Sequence, residues 1–152
     1  MGELSFVLFL ILLATFYSFI FEYFVHKHIL HNYKRFKYAF KNHMKIHHKT
    51  SRKNDMYDPG YEGIVSSYFE LISLTIVALI HLPIFFLSRI FYFTLIANIG
   101  HYYYVHRRSH IDTEWGKKNL PWHYAHHTGK NQNINWGIRS PVVDKILGTS
   151  SY

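Results

Sequence analysis

The sequence predicts an all-α integral membrane protein with a histidine-rich helical cap, and three observations carry this. Two apolar blocks, residues 5–21 and 64–105, are long enough to cross a hydrocarbon core of roughly 30 Å. They alternate with segments dense in Lys, Arg and His. Finally, 13 of the 152 residues are histidine, and 11 of those 13 fall in four short boxes that flank the apolar blocks. The length suits one domain, residues 1–152.

The first span is expected over residues 4–25. It lacks a basic leader and a small-residue cleavage site, so it reads as a retained transmembrane helix rather than a signal peptide. Phe6 stands where a myristoylation signal wants Ser or Thr. Residues 26–62 are polar and hold nine Lys and Arg. Within them, residues 33–48 suit an amphipathic helix at the interface, and residues 55–63 read as a turn. The block 64–105 is too long for one span and right for two. Pro83 places the turn near His81-Leu82-Pro83, with Ser88-Arg89 as the competing position. From His106 onward the chain is polar again, with seven basic residues.

Two crossings between the second and third boxes return the chain to its starting side, so all four boxes face one compartment. The two polar segments carry 16 of the 17 Lys and Arg, which makes that side the cytoplasm by the positive-inside rule. The formal charge of +8 thus belongs to a membrane surface, and no nucleic-acid partner is expected. The chain has no cysteine, which excludes disulfides, thiolate zinc sites, iron–sulfur ligation and a thiol nucleophile. Any metal must be held by nitrogen and oxygen.

The boxes have metal-ligand spacings. His123, His126 and His127 lie at i, i+3 and i+4 and can face one cavity. His106 and His110 are one above the other at i, i+4, and so are His43 and His47, with His48 adjacent. In the first box His26 and His31 are five apart, about 140° on an ideal helix, whereas His28 and His31 share a face. Using His26 requires a broken helix end. Ten nitrogens are too many for one closed tetrahedral zinc site and suit two metals with about five ligands each, leaving a position open for oxygen. Adjacent histidines such as His126 and His127 diverge by about 100° and can serve two metals from one turn.

The segments "EYFVHKHILHN", "HMKIHH", "VHRRSH" and "LPWHYAHH", with the closing "NWGIRSPVVDKILGT", resemble the fatty acid hydroxylase superfamily over nearly the whole chain. That group includes sterol desaturases, sterol methyl oxidases, carotenoid hydroxylases and sphingolipid fatty acid hydroxylases. The resemblance implies a non-haem di-iron membrane oxygenase that hydroxylates or desaturates a lipid C–H bond with O2 and two electrons. Carried over box by box, it selects His26, His31, His43, His47, His48, His106, His110, His123, His126 and His127 as ligands of two iron ions, with zinc a possible substitute. It makes His28 a bystander and leaves His101 outside.

Two features depart from the family pattern. His43 and His47 are separated by three residues where many members have two, and the expected spans number three where larger members have four or more. Nothing in residues 1–152 reads as a cytochrome domain, so a separate ferredoxin- or cytochrome-type protein is expected to supply electrons. A zinc-dependent membrane hydrolase and a non-enzymatic metal-binding membrane protein are the alternatives. The hydrolase would need a nearby acid or base, for which Glu22 and Asp112 are the nominees. Glu22 is either an acceptor for His26 or a helix-end residue at the interface. Asn131, Asn133 and Asn135 either orient a metal-bound water or form a polar loop. Tyr102, Tyr103 and Tyr104 read as an aromatic belt. His81 is expected about a membrane thickness from the boxes and is not counted as a ligand.

Overall fold

The computed structural model describes residues 2–63 and 67–151. Ile64, where the second apolar block was expected to begin, lies outside them. Among the described residues the regular structure is entirely helical.

Helix α1, Glu3–Val25, is continuous because it has no internal Gly or Pro to break it. It runs about 35 Å at 1.5 Å per residue. Leu4, Phe6, Leu8 and Leu12 project outward, which suits lipid rather than water. At His26 the helix widens into a π-helical turn, His26–Leu30. The stretch predicted as an amphipathic helix from residue 33 starts later, as the short α2, Lys37–Phe40. It then passes into a second π-helical segment, Lys41–His48, and on into α3, Lys49–Lys53.

Helices α4, Tyr68–Ile80, and α5, Leu82–Leu87, form one apolar stretch broken at His81, with Pro83 in the first turn of α5. Helix α6, Arg89–Ile111, follows directly. The turn expected at His81-Leu82-Pro83 is only this break in direction. The chain reverses at Ser88, the competing position. Ser88 is extended (φ −155°, ψ 105°), and its hydroxyl accepts the amide of Phe91 at 3.3 Å, capping α6. Arg89 lies over the ring of Phe85 at 5.5 Å across that turn. Pro83 is tolerated because a proline at the start of a helix sacrifices no hydrogen bond, so it marks a helix start without forcing a reversal.

Two helical stretches among the described residues are long and apolar enough to cross a membrane, Glu3–Leu30 and Tyr68–Leu87. Helix α6 matches α1 in length, 23 residues, but carries Arg89, Asn98 and His101. It packs between the other two. Asn98 reaches Thr15 of α1 at 3.4 Å, and His106 reaches Glu70 of α4 at 2.6 Å.

Two short helices, α7, Thr113–Asn119, and α8, Pro121–Thr128, fold back over the end of the bundle. The tail then crosses it and ends in α9, Val142–Ile146. Buried Asp144 fixes the tail by accepting the amides of Trp136 and Gly137 and the hydroxyl of Thr149, at 2.8, 2.7 and 2.7 Å. Gly137 is required at this crossing, since a Cβ there would stand 2.2 Å from the carbonyl of Ser140. Trp136, Tyr23 and Val143 make the small apolar core that binds tail to α1.

Candidate metal centre

All four boxes meet at one end of the bundle, and their histidines sort into two groups. His26, His31, His43, His48 and His126 form the first, and His47, His106, His110 and His127 the second. Within each group one ring nitrogen from every histidine lies within 4.8 Å of those of the others. His123 stands beside the second group, its ring 4.6 Å from that of His127 and 5.2 Å from that of His106.

The local backbone explains the sorting. The amide of His31 donates to the carbonyl of His26, an i→i+5 bond that brings two residues five apart onto one side. Their rings lie 5.0 Å apart. The π-helical second box does the same for His43 and His48, whose Nε2 atoms are 3.1 Å apart. The expected face of His43 and His47 is therefore not the one used, and His47 turns to the second group. In ordinary α-helix, His106 pairs with His110 and His123 with His127, while His126 crosses to the first group. The first group thus consists of two intrahelical pairs and one histidine from another box, and the second has the same plan once the adjoining His123 is counted with it.

Backbone and carboxylate oxygens set the tautomers. The Nδ1–H of His26 donates to the carbonyl of Trp136 at 2.6 Å, that of His110 to Met56 at 2.7 Å and that of His126 to Ile134 at 2.7 Å. His47 donates to Asp58 at 2.8 Å and His106 to Glu70 at 2.6 Å. In each case Nε2 is left with a lone pair facing the group interior. The Nε2 atoms of His106 and His110 face each other at 3.2 Å. Two lone pairs at that separation repel unless a cation lies between them. Nitrogens about 2 Å from one cation at right angles sit roughly 3 Å apart.

Buried nitrogens without a hydrogen-bond partner among the described residues include both of His123, both of His127, and Nε2 of His31, His47 and His126. Burial pushes the imidazoles of His43, His48, His123 and His127 well below their ordinary pKa, and that of His126 down to about 4. They are neutral at physiological pH, the form that binds a metal.

The remaining nominees are placed as follows. His28 is exposed and stacks on Phe24 at 5.4 Å, and His101 is also exposed. His81 is outside both groups but lies partway down the bundle rather than at its far end, where it meets Tyr17. Glu22 fits neither expectation. It accepts the amides of Ile138 and Arg139 and forms a buried ion pair with the Arg139 guanidinium at 2.7 Å, locking the tail onto α1. Arg139 also donates to Asn98 at 2.6 Å and to Ser18 at 3.0 Å. Asp112 is exposed and caps α7 by accepting the amide of Trp115. Asn135, at φ 57°, exchanges hydrogen bonds with Ser151, while Asn131 and Asn133 form a polar turn. Tyr102 departs from the aromatic belt, since it lines a cavity beside His106.

Asp58 and Glu70 were not foreseen. Glu70 had a signal, because a carboxylate inside an apolar run is costly unless it has a task. Asp58, in a turn segment, had none.

Residues 8–149 match the fatty acid hydroxylase family model, a span that takes in all four boxes and all but the end of the tail. The chain belongs to the fatty acid hydroxylase family. Comparison with curated proteins and with solved structures returned no match. Membership in the fatty acid hydroxylase family points to a lipid-modifying, oxygenase-type enzyme associated with a membrane, and the two histidine groups fit a metal site.

A cavity of about 300 Å³ leads from that site down between α1, α4 and α6. His26, His43, His47 and His106 stand at one end, and Phe21, Leu74, Val77 and Leu95 line its flanks.

Proposed function

We propose that this chain is a membrane non-haem di-iron oxygenase that hydroxylates, or desaturates, a C–H bond of a lipid. The observation that carries the reading is the division of the boxes into two neighbouring all-histidine groups at the mouth of one apolar cavity. His26, His31, His43, His48 and His126 would hold one iron. His47, His106, His110, His127 and His123 would hold the other. Bound iron would supply dioxygen activation and the oxidising power to break an aliphatic C–H bond.

The protein's own part is placement. The oxygens of Trp136, Met56, Ile134, Asp58 and Glu70 aim five Nε2 atoms inward. The cavity between α1, α4 and α6 would take an extended apolar chain with one segment against His26 and His106. Helix α6 serves as the third span, with Asn98 turned toward α1 and the tail and His106 toward α4. The cap faces the cytoplasm, where a separate ferredoxin- or cytochrome-type donor delivers electrons.

A zinc hydrolase is the weaker reading. Its nominated acid–base residues are occupied, Glu22 by Arg139 and Asp112 by the α7 cap. The first group also offers five nitrogens, more than a closed zinc tetrahedron uses.

The test is reconstitution with ferrous iron in lipid bilayers, followed by labelled O2 and a chemical reductant, with lipids read by mass spectrometry. Label in a lipid hydroxyl supports hydroxylation, and a new double bond without label supports desaturation. Lipid products that form equally without O2 would overturn the reading.

A further inference from the structure

The cavity has a second polar end. Tyr17 of α1 and His81, at the break between α4 and α5, both line it, remote from the metal centre. Along α1, Tyr17 lies about 13 Å from His26, and along α4, His81 lies about 16 Å from Glu70. The packing around the pair is aromatic. Phe21 meets the His81 ring edge-on at 4.9 Å, and Phe91 lies 6.0 Å from Tyr17.

The hydrogen bonds fix what this end can still do. Nδ1 of His81 lies 2.7 Å from the carbonyl of Val77, which can only accept, so Nδ1 carries a proton. With that proton on Nδ1, Nε2 offers the lone pair to which the Tyr17 hydroxyl donates at 2.9 Å. Both donors of the pair are used. What remains is an acceptor, the second lone pair of the Tyr17 oxygen, in a cavity with apolar flanks.

We propose that Tyr17 and His81 form a cradle for the hydroxyl of a long apolar lipid alcohol, which donates its proton to the Tyr17 oxygen while its chain runs to the metal centre. This deepens the oxygenase reading and rests on it. The substrate class is a lipid with one hydroxyl, attacked at a carbon remote from it, so that the product is polar at both ends. An ester, an aldehyde or a carboxylate has only acceptor oxygens and would set acceptor against acceptor. The distance between the two ends makes the cradle a ruler for the carbon attacked.

The experiment uses the full chain, metal-loaded, in nanodiscs, with equilibrium binding of cetyl alcohol, its methyl ether and palmitate as the probes. The wild type should bind the alcohol roughly three- to ten-fold more tightly than the ether, the range of one net hydrogen bond. It should also prefer the alcohol to palmitate. Tyr17→Phe should bring the alcohol-to-ether ratio to about one. His81→Leu releases the Tyr17 proton to serve as a donor and should favour the ether relative to the wild type, a change that mere loosening of the helices would not produce. Equal wild-type affinities for alcohol and ether, or an unchanged ratio in Tyr17→Phe, overturns the proposal. Alcohol preference without any lipid oxidation supports the cradle and sinks the oxygenase reading. Oxidation without alcohol preference does the reverse.

Discussion

The amide of His31 donates to the carbonyl of His26 at 3.2 Å, a step of five residues where an α-helix takes four. That widened turn brings the two imidazoles onto one side and turns His28 outward against Phe24. His31→Ala should therefore cost metal, while His28→Ala should retain nearly all of it. Metal analysis of the two purified variants checks this, and equal losses would restore the ideal-helix pairing of His28 with His31.

Adjacent histidines should behave as members of different sites. His47 and His48 belong to opposite groups, as do His126 and His127. The double variant His47→Ala/His110→Ala damages one group, whereas His47→Ala/His48→Ala damages both. The first should keep about one metal per chain and the second close to none. Similar contents in the two would contradict the sorting.

Asp58 and Glu70 orient His47 and His106 from behind. Removing such a partner commonly costs 10- to 100-fold in metal affinity. Asp58→Asn and Glu70→Gln should each weaken one of two binding steps by about that factor and leave the other unchanged. Competition with a chelator of known affinity would resolve the two steps.

Acid should loosen the metal-free cap. Burial keeps His43, His48, His126 and His127 from taking up protons in the fold, whereas in the unfolded chain they do so near pH 6.5. A depressed folded pKa leaves stability intact above the unfolded value and erodes it below. Metal-stripped protein should therefore lose resistance to proteolysis as pH falls from about 6.5 toward about 4, the value for His126. Loaded protein should resist further into acid, because metal and proton compete for the same nitrogens. Identical pH profiles would contradict ligation by these residues.

The Glu22–Arg139 pair is sealed between α1 and the tail. Arg139→Ala leaves a buried carboxylate with no counter-charge, a change that costs about 3–5 kcal/mol. Glu22→Gln/Arg139→Met should be milder, since it leaves no charge behind. Thermal retention in detergent ranks the variants, and the opposite order would mean that the tail is held elsewhere.

The sequence made the boxes legible because histidine is rare and its spacing reports helical faces directly. It also showed that the boxes share one end, since a block with room for two crossings sits between the second and third. The two π-helical turns were not legible. Spacing assumes 3.6 residues per turn, and nothing in "VHKHILH" or "KNHMKIHH" announces a wider one. The reversal at Ser88 was obscured by Pro83, a stronger local signal with a smaller effect. Glu22 was misread because its partner, Arg139, lies 117 positions away. Asp58 and the carbonyls of Met56, Ile134 and Trp136 act through tertiary placement, which no local pattern encodes.

The most direct test of the two-site account is the iron content of purified wild-type protein beside His127→Ala, both reconstituted anaerobically. The account predicts about two irons per chain in the wild type. In the variant it predicts close to one, with the protein still in the membrane because its apolar helices satisfy their own backbone. A wild type that saturates at one metal ion, or a variant that keeps two and oxidises lipid normally, would contradict it.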